Sequence, residues 1–514
     1  MRQSTLLIVN TGATYARMVA TFGLGLATTA LAIRAVGEDD FGLYGVVYAA
    51  IGLVALLTDG LNASVLRHLA HAIGQQDRTR LIEVLSTMLA LLTIGAVLLG
   101  AVCLVLAQPI LSTLTIPEGR EDAAWWTLVW VVAGTVVTTI GSPFRSLLVA
   151  RQSLIIVTLS EVAESVLRLG AAVAALLAAG DGLLVFAAGT SIASAGVTTG
   201  LAALCLIRYP DLRPRPAAVR RSHLRPLVSF AGWDTVAQGA WKLRILGRQI
   251  LLNTFGTAVN AANSIATQVA TYQGNLASQM ARAAQPAITA AEARGDRATV
   301  HKLVVVASKY MVLAMTFIAV PVLLETNVLL TLWLGEYPAH TVSLVRLTVA
   351  AMTLLWLTHG HMMALYAHGD LRNVILGSAA IELGAFAAAA AWIFLLNGPP
   401  EAAPITLVVG TVALNVMQAV AVGRLIDLPW QRWCRRTIVP ITLVAGAATA
   451  AGLVPRLLLE PGIVRLGAVG AASAAVAAMC SWRIGMEAWE REHFVRVVRA
   501  AVERAAALMP ARSA

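Results

Sequence analysis

Apolar runs near 20 residues long recur along almost the whole chain, separated by short segments rich in Arg, Gly and Pro. A helix of that length crosses the hydrocarbon core of a bilayer. The runs predict spans at about 10–35, 41–63, 84–107, 124–149, 155–179, 183–207, 227–252, 257–281, 303–327, 341–366, 374–396, 405–426, 437–459 and 462–482, about fourteen in all. The expected fold class is an all-α polytopic membrane protein.

Two of these spans carry too many polar groups for lipid. Asp234, Gln238, Lys242, Arg244, Arg248 and Gln249 interrupt the seventh. The eighth holds Asn260, Asn263, Ser264, Thr267, Gln268, Thr271 and Asn275, which fall on one stripe at about 100° per residue and leave Ala258, Val259, Ala262, Ile265 and Ala266 on the other side. Each ionised side chain at the bilayer centre costs about 2.5 to 3.5 kcal/mol, so the charges of the seventh span would cost on the order of 10 kcal/mol against lipid. One reading is a cationic, hydrogen-bonding cavity that receives an anionic ligand at mid-membrane. The other has Asp234 neutralise one cation while the rest reach for the interface from the helix ends. Asp234 offsets only one of three cations, which favours the cavity. In the first span Asn10, Thr14, Arg17, Thr21 and Thr28 share a face, and Arg17 is expected to point at the same cavity. The threonines serve equally well as a close helix–helix contact.

Composition agrees: the chain is 58% hydrophobic and 13% charged, with mean hydropathy +0.76. Soluble domains are about 45 to 50% apolar and 25% charged. The net charge of +11 therefore reads as a topology signal rather than a nucleic-acid surface. With an even number of spans, Arg-rich loops such as 208–225 and 424–436 fall on one side, and Glu38, Asp39, Asp40, Glu118, Asp181, Glu336 and Glu401 on the other. Both termini are expected in the cytoplasm. Cys103, Cys205, Cys434 and Cys480 are scattered, so neither a disulfide framework nor a metal site is indicated, and no cofactor is expected.

The Pro- and Arg-rich segment 208–226 divides the chain into an amino-terminal six-helix lobe (1–207) and a second six-helix lobe (227–426). Two extra spans (427–482) and an amphipathic cytoplasmic tail (483–514) follow. The lobes repeat weakly: Phe41-Gly42 matches Phe255-Gly256, and Arg34 then corresponds to Arg248. Such repeats are typical of transporters whose site lies between them. In the fifth span Glu164 and Arg168 form an i,i+4 pair, leaving Glu161 as a candidate for ion coupling beside Asp59 and Asp234. His359, His361 and His368 show no metal spacing, and no nucleotide-binding loop, nucleophile elbow or zinc-protease motif is present.

The run Arg34-Ala-Val-Gly-Glu-Asp-Asp-Phe41-Gly42-Leu43-Tyr44-Gly, with Thr58-Asp59-Gly60-Leu61 and Arg67-His-Leu-Ala, resembles the amino-terminal signature of Wzx-type polysaccharide flippases of the MOP exporter superfamily. Gln285-Pro286, Ala293-Arg294-Gly295-Asp296, Leu332-Trp333-Leu334-Gly335 and Ala367-His-Gly-Asp-Leu-Arg-Asn373 add to the resemblance. It implies a flippase of the bacterial inner membrane. Relatives turn undecaprenyl-diphosphate-linked oligosaccharides from the cytoplasmic to the outer leaflet by alternating access, with cavity arginines facing the diphosphate. By position Arg17, Lys242, Arg244 and Arg248 suit that role, and Asn260, Asn263, Thr267, Gln268, Thr271 and Asn275 suit a sugar. Arg34, Asp234 and Gln238 complete the expected site. The implied partners are the lipid-linked oligosaccharide, membrane lipids and a polysaccharide polymerase or export machinery. The two last spans are similar to those of the lipid II flippase branch, where such helices form a groove for the lipid tail. The competing functions are a drug or cation antiporter of the same superfamily, which needs an acidic cavity, and a membrane-embedded lipid-modifying enzyme, for which His359 and His361 are the place to look.

Overall fold

The computed structural model describes residues 2–220, 239–369, 372–492, 495, 496 and 499, and within them the side chains outside 2–16, 54–64, 67, 70 and 71. Every regular element among the described residues is helical. The long helices are α1 (Arg2–Gly74), α2 (Arg78–Val105), α3 (Glu121–Ala150), α4 (Leu154–Leu177) and α5 (Gly182–Arg208). A short α6 (Arg248–Leu252) leads into α7 (Thr257–Ala293) and α8 (Arg297–Leu324). Then come α9 (Thr341–Leu355), α10 (His359–His368), α11 (Arg372–Leu395), α12 (Ala402–Leu425), α13 (Val439–Leu458) and α14 (Ile463–Cys480).

These helices lie over the predicted spans. The start of the seventh, with Asp234 and Gln238, lies outside the described residues, as do part of the 208–226 segment and most of the tail. The first two spans form one element, broken at Gly37, whose φ of +82° is a conformation that a side chain would strain. Among the described residues nine helices are long and apolar enough to cross a membrane, and α9 with α10, bent by 40°, makes a tenth. Two further helices have the length: α4, which is apolar but carries the three charges of Glu161, Glu164 and Arg168, and α7, which is made polar by its amides and hydroxyls. The chain is a multi-pass membrane protein.

The described chain forms two compact units. The first comprises Met1–Val269, Trp333–Thr348 and Ile375–Gly410. In it α3 packs on α5, α1 on α4 and α3, and α2 on α3. Lipid gives helices no hydrophobic reason to associate, so close approach through small residues must do so. Gly134 and Gly141 of α3 accordingly face Ser191 and Thr198 of α5, and Gly189 of α5 faces Ala171 of α4. One end of the unit is tied by Arg120, which donates to both carboxylate oxygens of Asp40 at 2.9 and 2.5 Å and of Asp181 at 2.7 and 3.0 Å. Asp181 also caps α5 through the Leu183 and Leu184 amides. The hydrogen bond from Arg120 holds the Asp181 carboxyl below its ordinary range, whereas burial raises Asp40 despite the same partner.

The second unit comprises Ala270–Leu332, Val349–Val374 and Thr411–Ala514. Here α8 packs on α10, α13 and α14, and α13 and α14 form an antiparallel hairpin. Met311 and Met315 of α8, Met363 of α10 and Trp433 belong to one buried cluster.

Candidate functional site

The first unit contains a buried polar cluster built on the end of the seventh span and the start of α7. Before α6 the helix widens into a π-turn over Leu243–Gly247, and Gly247 lies against the ring of Phe386. Arg244 and Arg248, one turn apart, are both turned into the protein, with only 8% and 4% of their surface exposed. A π-turn inserts one residue into a helix and recurs at functional sites.

The two guanidiniums differ in their partners. The Arg244 Nε lies 3.5 Å from the Glu382 carboxylate of α11, itself buried. That is longer than the about 2.7 to 2.9 Å of a tight charge-assisted hydrogen bond. Arg248 donates through Nη2 to the Thr267 hydroxyl at 3.1 Å, while its Nε and Nη1 have no partner among the described residues. A buried charge without a counter-charge costs several kcal/mol, so this arrangement suits an anion. Arginine's fork of N–H donors matches phosphate oxygens in pairs.

Amides frame the cations. Gln249 donates through Nε2 to the Asn260 carbonyl at 2.9 Å and the Ser264 hydroxyl at 3.0 Å, and its oxygen accepts from Asn263. Asn260 is fully buried, and both ends of its side-chain amide lack a partner among the described residues. Gln268 donates to the Gly25 carbonyl at 3.1 Å and accepts from Thr29 at 2.7 Å, so it joins α7 to α1. The stripe expected to face water is therefore divided. Asn260 and Asn263 are buried in protein, Thr267 and Gln268 are half-buried and engaged, and only Thr271 and Asn275 are exposed.

The other expected residues are spread out. Lys242 is half-buried and Arg34 exposed, whereas Asp234, Gln238 and the Asp59 side chain lie outside the described residues. Arg17 of α1 pairs with Glu161 of α4, and the same carboxylate takes Arg145 of α3. Glu161 is thus not left over from the local pairing; it joins three helices. Glu164 pairs with Arg168 at 2.8 Å, as the spacing predicts, and also accepts from Ser194. His359 lies against Trp356 and His361 against Trp433, with ring centroids 4.4 and 5.0 Å apart. Among the described residues no three His, Cys, Asp or Glu side chains could hold a metal ion together. Sequence reasoning missed Glu382, although a lone acid inside an apolar span is itself a signal of function.

Residues 7–292 match the model of a family described as polysaccharide biosynthesis protein. No curated protein sequence matches the chain. Among solved structures, the lipid II flippase MurJ in an inward closed conformation is similar at a TM-score of 0.72 and 11% identity, over 92% of this chain and 98% of that one. An inward-facing multidrug resistance MATE family transporter of the MOP superfamily is similar at 0.62 and 14%, over 79% and 94%. Its outward-facing counterpart gives 0.57 and 14%, over 81% and 95%. At such identities these likenesses establish the fold alone, which the chain shares with the lipid II flippase and with the MATE family transporter of the MOP superfamily. With more than half of its length under the family model, the chain belongs to the polysaccharide biosynthesis protein family.

Proposed function

We propose that the protein is a flippase that carries a polyprenyl-diphosphate-linked oligosaccharide from the cytoplasmic to the outer leaflet of a bacterial inner membrane, with both termini in the cytoplasm. Arg248 and Arg244 hold the diphosphate, and Lys242, on the same helix, adds positive charge. Asn260, Asn263, Thr267 and Gln268 shape the walls and meet the first sugar. Residues 1–207 and 227–426 act as the two alternating lobes, joined by 208–226 and followed by the extra spans and tail. The observation that carries this reading is the Arg248 guanidinium, buried with two N–H groups unpartnered among the described residues. An anion on those groups gains charge-assisted hydrogen bonds in a low-dielectric setting.

The test is flipping of a fluorescent polyprenyl-diphosphate oligosaccharide in liposomes, comparing the parent with Arg248→Ala and Arg244→Ala. Loss in both folded variants is expected. A second reading, export of cationic drugs, draws on the buried Glu382 and the likeness to MATE transporters. A parent that never flips the lipid but exports cationic dyes would replace the first reading with that one.

A further inference from the structure

The second unit holds a basic cavity of its own. Just before α13 the chain makes a second π-turn, Cys434–Ile438, and just after α14 a third, Ser481–Gly485. Between these ends of the hairpin lies a cavity of about 630 Å³, lined by Lys309, Arg432, Arg435, Arg436, Ile484 and Glu487 among others. Its charges are unequal. Lys309, almost wholly buried, is neutralised by Glu490 at 2.7 Å, and Arg436 lies 3.5 Å from Glu487. Arg432 and Arg435 are exposed and have no carboxylate partner among the described residues.

The surroundings fix its depth. Trp430, Trp482 and Trp489, each partly exposed, gather at the same helix ends, and tryptophan concentrates at the headgroup level of a bilayer. Beyond the basic rim Val439 and Leu443, one turn apart on α13, are exposed together with Ile484. Positive charge at the headgroup level above an apolar wall matches a molecule with an anionic head and hydrocarbon chains. Basic pockets between membrane helices bind lipid head groups in this way.

We propose that this cavity seats the phosphate of an anionic phospholipid, with Arg432 and Arg435 as its ligands, Arg436 beside them, and the acyl chains along Val439 and Leu443. The Lys309–Glu490 pair fixes the segment that forms one wall, through the Glu487 amide that Glu490 accepts at 2.6 Å. This seat is independent of the arginine cluster of the first unit and of the flippase reading.

The experiment is native mass spectrometry of the full-length protein in detergent, titrated with phosphatidylglycerol, with phosphatidylcholine, and with phosphatidylglycerol plus inorganic phosphate. The parent is expected to retain phosphatidylglycerol over phosphatidylcholine. Arg432→Gln with Arg435→Gln weakens that retention about 30-fold, at about 1 kcal/mol per basic residue, and the paired Lys replacements restore most of it. Both positions are exposed, so folding is preserved, and an unchanged melting temperature checks this. Equal retention by parent and Gln variant, or of the two lipids, overturns the proposal. Displacement by millimolar phosphate overturns it too, because the seat would then serve a soluble anion.

Discussion

The Arg244 guanidinium and the Glu382 carboxylate lie 3.5 Å apart inside the first unit, and Arg248 one turn further on has no acid of its own among the described residues. Among the described residues one carboxylate thus stands near two buried cations. Glu382→Gln removes it, and breaking a buried pair costs about 3 to 5 kcal/mol. The variant is expected to melt earlier than the parent and to bind inorganic pyrophosphate more tightly, by about tenfold for one removed like charge at short range. Thermal unfolding with and without pyrophosphate checks both effects, and unchanged affinity would separate Glu382 from the anion site.

Gln249 ties the seventh span to α7 through three side-chain contacts. Gln249→Ala leaves the Ser264 and Asn263 groups without that partner, and unfolding in detergent should show a loss of about 2 to 3 kcal/mol at about 1 kcal/mol per hydrogen bond.

A methyl group on Gly42 would run into the Thr257 carbonyl and reach within 3.1 Å of the Ala261 amide, whereas one on Gly23 meets nothing within 4 Å. Gly42→Ala should therefore reduce the yield of folded protein severely while Gly23→Ala does not, as measured by monodisperse material on size exclusion. Equal yields would show that α1 can shift away from α7.

Asp181 has its carboxyl lowered by the Arg120 hydrogen bond. A depressed folded-state value favours the ionised form, so the stabilisation is present above the unfolded value, about 3.9, and lost as pH falls through the folded one. Asp181→Asn should be less stable than the parent at neutral pH, and the difference should shrink on acidification. Asp40 shifts the other way, and because the neighbouring Asp181 charge is among the causes that raise it, its shift lessens in the variant.

Lys309 and Glu490 are both buried and 2.7 Å apart. Glu490→Ala should cost about 3 to 5 kcal/mol, whereas replacing both residues, as Lys309→Met with Glu490→Leu, should recover most of it. Equal losses in single and double variants would show that packing rather than charge holds the segment.

The spans were legible because lipid imposes one rule, about 20 apolar residues, on every crossing. The Glu164–Arg168 pair was legible because it is local. Arg17 and Glu161 are 144 residues apart, and no periodicity connects them. Lys309 and Glu490 are 181 apart. Glu382 stands alone in an otherwise apolar span and Lys309 lies mid-span with no acid within a turn or two, so the partner of each is set by helix packing that sequence spacing does not encode. The stripe of α7 was visible as a stripe, but whether an amide meets water or a neighbouring backbone depends on which helix covers it. Gln268, bound to Gly25 and Thr29, and exposed Asn275 look alike in sequence.

The three π-turns among the described residues, at Leu243–Gly247, Cys434–Ile438 and Ser481–Gly485, each carry at least one arginine. Each amounts to one residue inserted into a helix that would otherwise continue in phase. Rotational phase is a property that point substitution barely touches. Removing a single residue from such a turn would restore the ordinary repeat and swing everything on one side of it by about 100°. Length variation of one residue at these three places, rather than exchange of the arginines themselves, is therefore the mutation by which such a protein could re-aim its positive charge while leaving every helix and every side chain type in place.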